Sequence, residues 1–155
     1  MAAKRKSKFD SKFMSTAASD SRTANVRTER KVKDELPLMT FNFKDFDFTQ
    51  CPPGQTLDKW QEAKMLDKLL SKFMDISACT RPEAEQQGLL KVYGDFPDNS
   101  QFRLPKHIEG EVAWGTIQRI GGQKPRLAGY VIGSVFYPVF LDKDHLFFPS
   151  KKKHT

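Results

Sequence analysis

The chain has 155 residues, 38% of them hydrophobic and 29% charged, with thirteen phenylalanines and a formal net charge of +7. That length supports one domain with a sizeable core, and no apolar run approaches the roughly 20 residues that a membrane-spanning helix needs. The two cysteines, Cys51 and Cys79, lie in no C-x-x-C pair and near no spaced histidine, which argues against a zinc site or a disulfide framework.

The charge is unevenly placed. Residues 1–33 hold ten Lys/Arg against three Asp/Glu, so the formal excess of the whole chain sits in its first fifth. Residues 34–112 hold nine against fourteen, and residues 113–155 hold seven against two. A basic arm followed by a basic last third suits a polyanion, of which nucleic acid is the commonest kind. The opening MAAKRKSKFDSKF carries basic residues with no apolar run behind them, so it does not read as a secretory signal. With both thiols free, a cytoplasmic location is expected, and no membrane association.

Residues 1–35 are rich in Lys, Arg, Ser, Thr and Ala and have too few bulky groups to offset their ordering entropy. They are expected to form a basic, mostly disordered arm, with one α+β domain over 36–150 and a basic tail at 151–155. In LPLMTFNFKDFDF, Phe41, Phe43, Phe46 and Phe48 are separated by polar residues, which predicts a half-buried strand. CPPGQ at 51–55 then stops the chain. TLDKWQEAKMLDKLLSKFMDISA follows with Thr56 as N-cap and apolar groups at three- and four-residue steps, which predicts one long helix packed on the core. Thr80 and Glu83 form a capping-box pair opening a second, short helix, with Pro82 in its first turn, Gly88 inside it and Gly94 at its end.

Residues 95–111 read as loop. Three strands close the chain: VAWGTIQRI at 112–120, RLAGYVI at 126–132 and VFYPVFL at 135–141. Gly133 and Ser134 make a two-residue hairpin connection, and Pro138 requires an edge or a bulge. The expected fold is β-α-α-β-β-β, two helices packed on one face of an antiparallel sheet.

This element order, with the pattern R-L-x-G-Y-x-I followed by V-F-Y-P-V-F-L-D-K-D-H, resembles the RelE/ParE toxin superfamily over roughly residues 36–148. Nucleases of that family cut messenger RNA, usually on the ribosome, and pair with a small antitoxin. The resemblance implies that Arg126 is the family's strand arginine and that His145 belongs to its C-terminal catalytic segment. Where many family nucleases present a tyrosine after the last strand, this chain has Phe147 and Phe148, leaving Tyr130 or Tyr137 as possible substitutes.

Metal-free RNA cleavage requires a base for the 2′-OH proton, an acid for the leaving oxygen, and cations around phosphorus. His145 suits the proton roles, Arg119 and Arg126 are forks matched to phosphate, and Lys124 and Lys143 are point charges. Tyr130, Tyr137 or Trp114 would stack a splayed base. Plainer roles stand beside these: His145 paired with Asp144 at the surface, Trp114 in the core, the tyrosines as packing groups. Asp142, Asp144 and His145 supply too few ligands for a metal, and neither metal nor cofactor is expected. The expected function is therefore a metal-independent endoribonuclease-like toxin acting on single-stranded or ribosome-bound RNA. The alternative is a non-catalytic nucleic-acid-binding or adaptor protein, possibly a subunit of a larger assembly, that uses its basic arm.

Overall fold

The computed structural model describes residues 36–151; the arm expected at 1–35 and the last four residues of the tail lie outside them. The chain runs through β1 (Thr40–Phe41), α1 (Leu57–Glu62), α2 (Leu66–Ser77), α3 (Arg81–Gln86), β2 (Leu90–Gly94), β3 (Ala113–Ile117), β4 (Arg126–Ile132) and β5 (Val135–Asp142). The class is α+β. One five-stranded sheet has the order β1-β5-β4-β3-β2. It is mixed rather than antiparallel throughout, because the short β1 pairs with β5 in parallel. No helix among the described residues is long and apolar enough to cross a membrane.

Three expectations about the elements are corrected. The long helix is broken in two. Lys64 takes a φ of 56°, its N–H bonds the Gln61 carbonyl at 2.9 Å, and the Met65 N–H reaches the Trp60 carbonyl at 2.9 Å. That pair of bonds is a Schellman stop made without glycine, and it turns both Trp60 and Met65 into the core. The second correction concerns Gly88, which is a helix end and not an interior residue. Its φ is 71°, its N–H bonds Glu85 O and the Leu89 N–H bonds Ala84 O, so the helix closes there and β2 begins at Leu90. The Thr80–Glu83 capping box forms as the sequence indicates, with Thr80 N–H donating to Glu83 Oε2 at 2.7 Å.

The third correction is at the phenylalanines. Only Thr40 and Phe41 are strand; Phe43, Phe46 and Phe48 leave the sheet and stack on one another instead.

Both faces of the sheet are covered. On one, Leu90, Ile117, Leu127, Val131, Phe136 and Leu141 pack against Trp60, Leu69 and Ile76 of the helices. On the other, Trp114, Ala128, Tyr130, Val139 and Phe140 are roofed by Phe102, Ile108 and Phe147, which come from the 95–112 crossover and the C-terminal segment. The sheet face away from the helices is therefore largely filled. Pro138 lies within β5 beyond the two residues that pair with β1, and the β4–β5 register shifts beside it between Ala128 and Gly129. A missing donor is tolerated at such a place.

Gly129 faces the Tyr137 carbonyl and the Phe136 ring, and a Cβ would collide with the backbone oxygen, whereas a Cβ on Gly122 would meet Pro125 at an ordinary 3.5 Å. Urea unfolding is expected to show Gly129→Ala destabilised by about 2 kcal/mol through overpacking, with Gly122→Ala close to wild type.

Candidate functional site

Asp142 ends β5 with no solvent exposure, and its two carboxylate oxygens accept the N–H groups of Leu146 and Phe147, each at 2.8 Å. Those bonds fold the DKDH segment back under the sheet. They also hold His145 in the left-handed region with a φ of 61°, a conformation that costs a residue with a Cβ on the order of 1 kcal/mol. Burial pushes the Asp142 carboxyl up from the ordinary range; the two amides and Arg126 oppose the shift.

Arg126 stands opposite Asp142 in the β4–β5 ladder. The carboxylate is turned to the backbone amides, and no ion pair forms between the two. The guanidinium Nε and Nη1 are buried without a hydrogen-bond partner among the described residues. Burial lowers the Arg126 pKa from its ordinary value and the nearby Arg119 adds to this, while Tyr93 and Asp142 oppose it. N–H groups buried without a partner are expensive to keep.

The cavity into which Arg126 opens, about 820 Å³, lies between the strand ends, residues 95–99 and the C-terminal segment. His145 lines it together with Lys91, Tyr93 and Gln118. Burial lowers the His145 pKa from its ordinary value, and Arg126, Lys91 and Lys124 lower it further, which favours the neutral imidazole. The Tyr93 hydroxyl is 3.4 Å from Thr116 Oγ1, and its ring stacks on Phe148 with centroids 4.1 Å apart. Gln118 Nε2 donates to the same Thr116 hydroxyl at 3.0 Å, leaving its carbonyl oxygen to the cleft. The opposing wall is acidic, with Asp95 and Asp98, and Asn99 is tied through Nδ2 to Pro149 O at 3.3 Å. One wall offers cations, the other hydrogen-bond acceptors.

Among the residues singled out from the sequence, Arg126 and His145 share this cleft. Arg119 lines an adjoining cavity that has Gln118 and Arg126 in common with it. Lys124 is exposed in the 121–125 turn, near enough to act on His145 electrostatically. Lys143 is not brought in: its side chain is exposed outside the cleft lining, and its backbone N–H donates to Gln55 Oε1 at 2.7 Å.

Tyr130 is not open to a base. Tyr130 is buried against Trp114, donates its hydroxyl to Asp45 Oδ2 and stacks on Tyr137 at 4.7 Å. Burial and the Asp45 bond push its phenol up, so it stays protonated. Tyr137 has Tyr130 against it and Lys44 Nζ 5.4 Å from its ring centroid. Trp114 is a core residue. Phe147 is completely buried in the roof.

The phenol in the cleft comes instead from Tyr93, and an extra cation from Lys91. The sequence hides both, because 88–94 reads as the end of a helix. The alternation Leu90-Lys91-Val92-Tyr93 was the signal for a strand with Lys91 and Tyr93 on the face away from the helices. Among the described residues, no group of three His, Cys, Asp or Glu side chains stands close enough to hold a metal ion. No family model, curated protein or solved structure matches this chain.

NMR titration is expected to give His145 a midpoint below 6.5, and Arg126→Ala is expected to raise that midpoint, since removing a like charge favours the imidazolium. In Asp142→Asn one side-chain acceptor must serve two amides. Hydrogen exchange at Leu146 and Phe147 is expected to quicken at least about tenfold, matching loss of one hydrogen bond.

Proposed function

We propose that this cleft binds a phosphodiester of single-stranded RNA and cleaves it by attack of the neighbouring 2′-hydroxyl, in the manner of a metal-independent endoribonuclease. The observation that carries the reading is the Arg126 guanidinium, its Nε and Nη1 buried and unpaired, sharing one cavity with His145. Arg126 and Lys91 take the non-bridging phosphate oxygens and stabilise charge that grows in the transition state. The His145 imidazole accepts the 2′-OH proton, for which the neutral form is required. The 2′-oxygen bonds to phosphorus, the bond to the 5′-oxygen breaks, and the Tyr93 phenol donates the proton that the leaving oxygen needs. The products are a 2′,3′-cyclic phosphate and a 5′-hydroxyl.

The acceptors on the Asp95–Asn99 wall repel phosphate and suit the amino groups of base edges. The resemblance to the toxin superfamily adds a cytoplasmic setting, ribosome-bound RNA as one form of the substrate, and a small antitoxin as the partner. The basic residues 1–33 would add salt-sensitive affinity for any polyanion.

Purified wild type is expected to cut single-stranded RNA in EDTA, with activity rising with pH through a midpoint below 6.5. Loss of the base in His145→Ala is expected to lower the rate roughly 10²- to 10⁴-fold, and Arg126→Ala at least about 10²-fold. Intact RNA with folded wild-type protein, and binding that collapses with salt and on deletion of residues 1–35, would instead establish the non-catalytic binding protein.

A further inference from the structure

We propose that the groove between residues 46–50 and 103–107 is a second single-stranded RNA site, where a base stacks on Phe48 and Arg103, Lys106 and His107 hold the flanking phosphates. The inference rests on the RNA reading of the cleft and adds a separate contact to it.

The groove begins from the phenylalanines that leave the sheet. Phe41, Phe43, Phe46 and Phe48 form a ladder with successive centroids 6.5, 6.2 and 4.8 Å apart and interplanar angles of 21°, 13° and 14°. Phe73 packs on the inner end, 4.5 Å from Phe41 and 5.7 Å from Phe43. The outer end is Phe48, which is 40% exposed and lines the groove beside Phe46 and the 52% exposed Leu104. A flat base continues such a parallel stack, with every base offering a suitable face.

The groove is tied open by polar bonds. Gln50 Nε2 donates to Arg103 O at 2.8 Å and Arg103 N–H donates to Gln50 Oε1 at 2.7 Å, clasping the two walls together. Asp47, the one acid in the lining, has its carboxylate engaged by the Thr49 amide, the Thr49 hydroxyl and the Gln50 side chain. Arg103 and Lys106 form no ion pair among the described residues, and His107 stands 3.7 Å from Asp45. Two free cations and an imidazole around an exposed ring complement a polyanion whose bases are unstacked. The groove, about 520 Å³, is on the scale of a small-ligand site. The same crossover lines the cleft at Asp95–Asn99 and the groove at Arg103–His107. Asn99 and Arg103 are four residues apart, at most about 14 Å along the chain.

The test uses full-length His145→Ala protein, which holds RNA without cutting it, and a 4-thiouridine-containing 12-nucleotide oligo(U). Photocrosslinks at Phe46, Phe48 or Leu104, and affinity lowered about tenfold by Phe48→Ala and by Arg103→Glu/Lys106→Glu, are expected. The charge variant keeps the test decisive should the ring variant unfold. Unchanged affinity in both variants, with crosslinks confined to the cleft and residues 1–35, would overturn the groove while leaving the cleft reading intact. Absence of any RNA binding would overturn both. Binding of an acidic Glu/Phe peptide that is lost in Phe48→Ala, without RNA crosslinks in the groove, would make it a protein site and end the proposal.

Discussion

A buried carboxylate with two backbone amides to satisfy organises the functional end of this molecule. Asp142 receives Leu146 and Phe147 at the end of β5, and the turn so formed seats Phe147 in the second core and His145 at the cleft. Across the ladder, Arg126 keeps Nε and Nη1 without a hydrogen-bond partner among the described residues. One set of hydrogen bonds thus folds the C-terminal segment and fixes the backbone that carries His145.

The cleft exists because the sheet is packed on both sides but not to its ends. Helices cover one face, while Phe102, Ile108 and Phe147 roof the other. Where the roof stops, the polar side chains of β2, β3 and β4 emerge together. Burial there lowers the His145 pKa from its ordinary value, and the nearby Arg126, Lys91 and Lys124 lower it further.

Local signals were legible wherever they rested on a few neighbouring residues. The Thr56 cap, the Thr80–Glu83 box, the glycine turn at 133 and the disturbance at Pro138 all appear in place. Signals that competed were not. The apolar stripe from Leu57 to Ile76 is compatible with one helix, and nothing at Ala63-Lys64 announces the stop. The gain lies in burying Trp60 and Met65 together, a long-range effect. Likewise, four spaced phenylalanines satisfy a strand pattern equally well when they stack on each other outside the sheet. The helix expected through Gly88 hid β2, and with it Lys91 and Tyr93.

From the order of residues alone, the α+β class, the final hairpin and the basic imbalance were accessible. Each depends on periodicity, turn chemistry or charge, which are properties of short segments. Only the tertiary structure decided that Tyr130 and Tyr137 face packing partners, that Lys143 lies outside the cleft lining, and that Tyr93 lines the cleft with Arg126 and His145. Those outcomes depend on which strand is neighbour to which and on what covers each face, and distances between segments far apart in the chain are set by the packing of the whole.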